Sequence, residues 1–121
     1  MGKVLIIDDD PDIRELVSVF LEGAGHSVSQ AEDGQDGINK ASTTRPDLII
    51  LDVNMPVMDG IEVMKFLRTT PKTTDIPVIA LSAVDVSQIR DDMHQLGCGA
   101  YVVKPIDFDI LMGTVRNLIR H

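Results

Sequence analysis

The sequence predicts an α/β fold, in which helices cover both faces of a five-stranded parallel sheet. Two observations carry this prediction. Strand-like and helix-like patterns alternate five times along the 121 residues, and such alternation is typical of a doubly wound sheet. Several strand-like runs are also continuously apolar, as expected for strands buried on both faces. Right-handed crossovers favour the strand order 2-1-3-4-5, which makes the first and third strands neighbours.

Pattern and turn signals divide the first half of the chain into four elements. Residues 3–8 form the first predicted strand. Asp10 is the expected N-cap of the first helix, with Pro11 at the first helical position. Apolar residues at helical spacing continue this helix until a pair of glycines ends it. A weaker strand lies near 27–31, and a short helix covers 35–44.

The second half repeats the alternation with stronger strands. Residues 47–52 and 77–81 are apolar strands, and between them a helix ends near residue 69. Another helix is indicated by four apolar residues at helical spacing: Val86, Ile89, Met93 and Leu96. The last strand covers 100–103 and the last helix covers 107–120. That helix is expected to bury Ile110, Leu111, Val115, Leu118 and Ile119.

Composition and charge narrow the class of protein. Hydrophobic residues make up 44% and charged residues 25% of the chain, which suits one globular domain with a real core. No apolar run approaches the roughly 20 residues of a membrane span, and the N-terminus leads directly into a strand. We therefore expect a cytoplasmic protein with no membrane contact. The net charge of −8 argues against direct nucleic-acid binding and suits protein partners or a bound cation.

Charged residues stand where three of the apolar strands end. Asp8 and Asp9 follow the first strand, Asp52 ends the second strong strand, and Lys104 follows the last strand. Because the carboxyl ends of parallel strands meet at one edge, we expect the acids to lie close together. Neighbouring carboxylates repel by several kcal/mol, so such a site usually protonates one group or recruits a cation. Oxygen ligands without histidine or cysteine favour Mg²⁺, Mn²⁺ or Ca²⁺.

Position suggests different roles for these side chains. Asp8 and Asp9 share one strand end, which suits a pair that holds a metal. Asp52 is alone on the neighbouring strand, which suits a nucleophile, since a carboxylate can accept a phosphoryl group. Lys104 supplies a point charge for phosphoryl oxygens, and the hydroxyl of Ser82 can donate to the same anion. Taken singly, each residue also fits a helix cap or a solvated turn, and only their joint pattern favours function.

Four segments of the chain resemble the receiver domain of bacterial response regulators, single-domain type: Ile6–Pro11, Leu51–Gly60, Ile79–Ala83 and Tyr101–Pro105. The resemblance implies a (βα)₅ flavodoxin-like fold and one receiver domain over residues 1–121, without an output domain. It also implies phosphotransfer from a sensor histidine kinase or a histidine phosphotransfer protein. Such a domain is not an enzyme, because it promotes only its own phosphorylation and dephosphorylation.

The resemblance assigns the phosphoacceptor and the metal ligands residue by residue. It implies that Asp52 accepts the phosphoryl group. Asp9 and Asp52 would bind Mg²⁺ directly, with Mn²⁺ as a substitute, and Asp8 would act through water. The backbone carbonyl of Asn54 would complete the protein ligands.

The resemblance also assigns the groups that respond to the phosphoryl group. Ser82 would donate a hydrogen bond to it, Lys104 would pair with it, and the Lys104–Pro105 peptide bond would be cis. Ser82 would move toward the phosphoryl group, and Tyr101 would enter the vacated space. The surface formed by the fourth helix, fifth strand and fifth helix would then control a downstream protein. Apolar Val84 cannot orient a hydrolytic water, which predicts a long-lived phosphorylated state.

Several alternatives stay open. The chain could pass the phosphoryl group along a relay or act as a non-phosphorylated scaffold, as a monomer or a phosphorylation-dependent dimer. An aspartyl phosphatase would need a second carboxylate two residues after its nucleophile, where this chain has Asn54. A flavin-binding domain would need a glycine- and hydroxyl-rich loop after the first strand, where this chain has three consecutive acids.

Overall fold

The computed structural model describes residues 2–55, 58–83 and 87–119. The strands in these ranges are β1 (Lys3–Ile7), β2 (Ser27–Ala31), β3 (Leu48–Asp52), β4 (Val78–Ser82) and β5 (Ala100–Val103). The helices are α1 (Pro11–Gly23), α2 (Gly34–Thr44), α3 (Gly60–Thr69), α4 (Ser87–Gln95) and α5 (Phe108–Leu118). Within the described ranges, no helix has the length and apolar character that a membrane span requires.

The five strands form one parallel sheet of order β2-β1-β3-β4-β5, which confirms the predicted doubly wound fold. β1 and β3 are neighbours, and Ile7 pairs with Leu51 in their register. The next residues, Asp8 and Asp52, therefore leave the sheet at the same edge. This register brings the end of β1, followed by Asp8, beside the end of β3, which carries Asp52.

The sheet separates two apolar cores, because successive side chains of a strand point to opposite faces. Ile6 packs on the face that α1 and α5 cover, with Leu21 and Leu111. Ile7 packs on the opposite face, which α2, α3 and α4 cover, in the core that also contains Met64. Both faces of β1 are therefore buried away from water. This explains why its sequence is continuously apolar and does not alternate between apolar and polar residues.

Aspartates cap the N-termini of four helices: Asp10 on α1, Asp33 on α2, Asp59 on α3 and Asp107 on α5. In each case the side chain accepts a backbone N–H of the first helical turn, at 2.9 Å between Asp10 Oδ1 and Asp12 N, for example. A cap of this kind contributes about 1 kcal/mol to stability. The structure thus confirms that Asp10, the third acid after β1, caps a helix.

The prediction that Ile110 faces the core is wrong, since its side chain is 59% exposed. Leu111 and Val115, four positions apart, form the buried line of α5. Ile110 precedes Leu111 by one position, about 100° around the helix, and so falls beside that line. Val86, expected in the apolar stripe of α4, and Val84, expected to influence hydrolysis, lie outside the described residues.

The side chain of Arg68 joins the end of α3 to two loops. Its Nη1 donates to the carbonyls of Thr74 at 3.1 Å and Ile76 at 3.0 Å, in the loop that leads into β4. Its Nε donates to the carbonyl of Leu96 at 3.0 Å and its Nη2 to that of Gly97 at 3.2 Å. These two carbonyls directly follow α4. Arg68 therefore ties the C-terminal end of α4 to α3.

Candidate functional site

Three carboxylates meet at the edge where β1 and β3 end. Asp8 and Asp52 are 0% and 2% exposed, whereas Asp9 is exposed. One oxygen from each side chain lies within 4.8 Å of the others. Such proximity of like charges is costly unless a cation neutralises them, and oxygen-only ligands suit a hard divalent ion. The three acids therefore fit a metal site of the Mg²⁺ type.

The ammonium of Lys104 reaches the same acids from the end of β5. Its Nζ lies 3.3 Å from Oδ2 of Asp8 and 3.7 Å from Oδ2 of Asp52. The backbone holds this side chain in place, because the N–H of Lys104 donates to the carbonyl of Ser82 at 2.7 Å. The Lys104–Pro105 peptide bond is cis. The ammonium of Lys104 thus pairs with two of the three carboxylates, and Asp9 leaves negative charge for a further cation.

Burial raises the pKa of Asp52 from 3.8 to about 6, and the charge of Asp8 adds to this shift. Two contacts oppose it: the N–H of Asn54 donates to Oδ1 of Asp52 at 3.0 Å, and the ammonium of Lys104 is close. At neutral pH the carboxylate of Asp52 is mainly ionised, in surroundings that favour the loss of its charge. These properties suit a nucleophile.

The loop that carries Asp8 and Asp9 is held by Arg14, a residue that sequence reasoning missed. Nη1 of Arg14 donates to the carbonyl of Asp8 at 2.8 Å, and its Nε donates to Oε1 of Gln30 at 3.2 Å. The N–H of Asp10 also donates to Oδ1 of Asp8 at 2.9 Å. A cation near a helix N-terminus opposes the helix dipole, and this was the signal that Arg14 has a partner elsewhere.

Ser82 and Asn54 are in direct contact. Ser82 ends β4 and is fully buried, and its hydroxyl donates to Oδ1 of Asn54 at 3.0 Å. The N–H of Ala83 donates to the same oxygen at 2.9 Å. Sequence reasoning singled out Asn54 for its backbone carbonyl and missed this use of its side chain.

Tyr101 lies on β5, half-buried, beneath α4. It pairs with Ala80, two residues before Ser82, and packs against the core that α2, α3 and α4 cover. The guanidinium of Arg90, on α4, lies 4.5 Å from the centre of its ring. The structure thus places Tyr101 behind the acidic edge, on the strand that leads to Lys104.

Comparison with known proteins agrees with this fold. The family model of the response regulator receiver domain matches residues 4–116. The chain belongs to the response regulator receiver domain family. Receiver domains generally use Mg²⁺, and the carboxylates of Asp8, Asp9 and Asp52 could bind such an ion.

Individual relatives give the same result. The chain is 45% identical over 122 residues to the DNA-binding dual master transcriptional regulator RpaA of Synechocystis sp., covering 99% of the chain and 50% of that protein. It is 41% identical over 120 residues to the transcriptional regulatory protein PrrA of Mycobacterium leprae, covering 98% of the chain and 50% of PrrA. The chain therefore spans about half the length of these two regulators.

Among solved structures, the chemotaxis protein CheY4 of Vibrio cholerae matches with a TM-score of 0.92 and 36% identity, covering 98% of both chains. The signal receiver domain of a histidine kinase from Syntrophus aciditrophicus matches with a TM-score of 0.89 and 32% identity, covering 98% of this chain and 90% of that one. A chemotaxis protein and the receiver domain of a histidine kinase thus share this architecture.

Proposed function

We propose that the chain is a phosphorylation-operated signalling domain in which Asp52 accepts a phosphoryl group from a histidine of a sensor kinase or phosphotransfer protein. One observation carries the proposal. Asp52 is a buried carboxylate with a pKa of about 6, and an oxygen of it lies within 4.8 Å of oxygens of Asp8 and Asp9. A carboxylate so placed, with Lys104 3.7 Å away, suits nucleophilic attack on an anionic group.

The transfer breaks one bond and forms another. A carboxylate oxygen of Asp52 attacks phosphorus, the bond from phosphorus to the histidine nitrogen breaks, and its electron pair remains on the imidazole. The N–H of Asn54, 3.0 Å from Oδ1, keeps the carboxylate in one orientation throughout. Lys104 pairs with the phosphoryl oxygens, which carry the charge of the transition state.

A divalent cation fits the same site. Asp9 and Asp52 would bind it directly, together with the backbone carbonyl of Asn54, and Asp8 would act through water. When bound, Mg²⁺ would neutralise charge on the phosphoryl oxygens. Side-chain and backbone groups of this chain do the rest: the N–H of Asn54 orients the carboxylate of Asp52, and Lys104 pairs with the phosphoryl oxygens.

The phosphoryl group adds up to about two negative charges and three hydrogen-bond acceptors at Asp52. Ser82 and Lys104 would respond to them, and they are joined by the hydrogen bond from the N–H of Lys104 to the carbonyl of Ser82. Tyr101 would follow by changing its place beneath α4. The altered surface of α4, β5 and α5 would then control a protein partner, which the acidic net charge of −8 favours over nucleic acid.

Incubation with acetyl phosphate and Mg²⁺, followed by intact mass spectrometry, tests the proposal. Wild type should gain the mass of one phosphoryl group, and removal of Mg²⁺ with EDTA should prevent this gain. The Asp52→Asn variant should gain nothing, whereas Asp75→Asn, which changes an exposed aspartate before β4, should react like wild type. The absence of an adduct on wild type, or its persistence in Asp52→Asn, would contradict the proposal.

A further inference from the structure

The amide oxygen of Asn54 accepts hydrogen bonds from two donors at the end of β4. It accepts the hydroxyl of Ser82 at 3.0 Å and the N–H of Ala83 at 2.9 Å. A backbone N–H can only donate, so the atom of Asn54 that faces Ala83 must be the oxygen of the amide. The same residue donates its own backbone N–H to Oδ1 of Asp52 at 3.0 Å. Asn54 thus contacts both the acid and the two donors across the site.

These donors are the groups that an anion on Asp52 would need. Ser82 is fully buried at the end of β4, the strand next to β3. Its hydroxyl and the N–H of Ala83 both donate to Oδ1 of Asn54. A phosphoryl oxygen is charged and accepts stronger hydrogen bonds than a neutral amide oxygen does. Since both acceptors compete for the same two donors, the amide oxygen must leave before a phosphoryl oxygen can take its place.

We propose that the side chain of Asn54 is an internal substitute for a phosphoryl oxygen. It accepts from Ser82 and Ala83 in the unphosphorylated state and opposes their engagement by the phosphoryl group. Asn54 is exposed, so its side chain can turn into solvent when it is displaced. This inference rests on the proposed function and deepens it, because it names a residue whose side chain acts against phosphoryl binding.

The inference predicts the direction in which a variant shifts binding. In Asn54→Ala the backbone N–H to Asp52 remains, but both donors lose the amide oxygen in the unphosphorylated state. The phosphorylated state, in which the phosphoryl group would serve them, loses nothing. The substitution therefore destabilises the unphosphorylated state relative to the phosphorylated one, so a phosphoryl mimic should bind more tightly.

Calorimetric titration with beryllofluoride at saturating Mg²⁺ measures this shift without any hydrolysis step. The Asn54→Ala variant should bind about 5- to 20-fold more tightly than wild type, as expected for the loss of two neutral hydrogen bonds from one state. Titration with Mg²⁺ alone measures any change at the metal site separately, and the gain in beryllofluoride affinity should exceed that change. The Asn117→Ala variant, on the exposed side of α5, should match wild type in both titrations.

Thermal unfolding provides a second measurement. Without beryllofluoride, Asn54→Ala should melt below wild type, and saturating beryllofluoride should raise its melting temperature by more than it raises that of wild type. Unchanged or weaker beryllofluoride binding by Asn54→Ala would overturn the inference, as would equal gains for beryllofluoride and for Mg²⁺. Failure of wild type itself to bind beryllofluoride would instead overturn the proposed function, and this inference with it.

Discussion

The ammonium of Lys104 lies 3.3 Å from Oδ2 of Asp8, although 96 positions separate the two residues in the chain. Asp8 follows β1 and Lys104 follows β5, and β3 and β4 lie between these strands in the sheet. The contact therefore crosses the whole candidate site. Asp8 is fully buried and the Lys104 side chain is 20% exposed, so the loss of the ammonium would leave a buried charge without its partner.

Replacing Lys104 by Met should strengthen Mg²⁺ binding and weaken the fold in the absence of Mg²⁺. Removal of the ammonium makes the potential at the acids more negative, so the affinity for Mg²⁺ should rise about 10-fold. The free energy of unfolding should fall by about 2–4 kcal/mol without Mg²⁺ and recover when Mg²⁺ is added. Calorimetry and urea unfolding measure the two effects. Lys65→Met, at an exposed position of α3, is the control and should change neither.

Replacing Asp52 by Asn should stabilise the fold in a way that depends on pH. Because burial raises the pKa of Asp52 from 3.8 to about 6, the folded state keeps a proton that the unfolded state has already lost. The contribution of Asp52 to stability therefore falls as pH rises through this window, by at most about 3 kcal/mol. Asp52→Asn should exceed wild type by about 1–3 kcal/mol at pH 7, and this gain should vanish near pH 4.

Urea unfolding of both proteins across this pH range, in EDTA, measures the difference. The amide introduced by Asp52→Asn would keep an oxygen that accepts the N–H of Asn54, so the comparison isolates the charge. A difference that is constant from pH 4 to pH 7, or a variant less stable than wild type at pH 7, would contradict the assigned pKa.

Replacing Arg90 by Ala should favour the phosphorylated conformation. The guanidinium of Arg90 lies 4.5 Å from the ring centre of Tyr101, and contacts of this kind contribute about 0.5–1 kcal/mol at exposed sites. If Tyr101 moves away from Arg90 during switching, wild type loses this contact on activation, whereas the variant has no such contact to lose. Beryllofluoride should therefore bind the variant about 2- to 5-fold more tightly. Arg90→Lys, which keeps a cation, should show a smaller gain. Weaker binding by Arg90→Ala would mean that the contact belongs to the phosphorylated state instead.

Replacing Gly60 by Ala should disturb the loop beside Asp52. A Cβ atom at Gly60 would lie 2.6 Å from Cα of Val53 and 3.0 Å from the carbonyl oxygen of Asp52. Both are backbone atoms, so the start of α3 must move away from the end of β3. We expect a loss of about 2–4 kcal/mol in the free energy of unfolding and weaker Mg²⁺ binding. Gly23→Ala is the matched control, because its Cβ would meet nothing within 4 Å.

The sequence predicts the sheet well. The predicted strand at 47–52 differs from β3 (Leu48–Asp52) by one residue, because a strand buried on both faces carries a strong local signal. The weaker predicted strand at 27–31 also coincides with β2 (Ser27–Ala31), which is only partly buried. The strand order then follows from general rules of chain connection. Because that order makes β1 and β3 neighbours, the proximity of Asp8 and Asp52 is also predictable.

Contacts that depend on the rotamer of one long or polar side chain were not predictable. The amide of Asn54 turns toward Ser82, and the guanidinium of Arg14 reaches back to the carbonyl of Asp8. The local sequence does not identify the partner of either side chain, because the tertiary fold fixes it. The position of Arg14 near a helix N-terminus indicates only that it has some partner elsewhere. The exposed position of Ile110 was missed for a similar reason, since the buried line of α5 is set by how the helix packs on the sheet.

Arg68 has a mechanical consequence for α4 (Ser87–Gln95). Its Nε and Nη2 hold the carbonyls of Leu96 and Gly97, directly after the helix, while its Nη1 holds the loop that leads into β4. The C-terminal end of α4 is thereby tied to α3 and to the loop before β4. Any displacement of that helix end would have to carry these two segments with it or break the hydrogen bonds of Arg68.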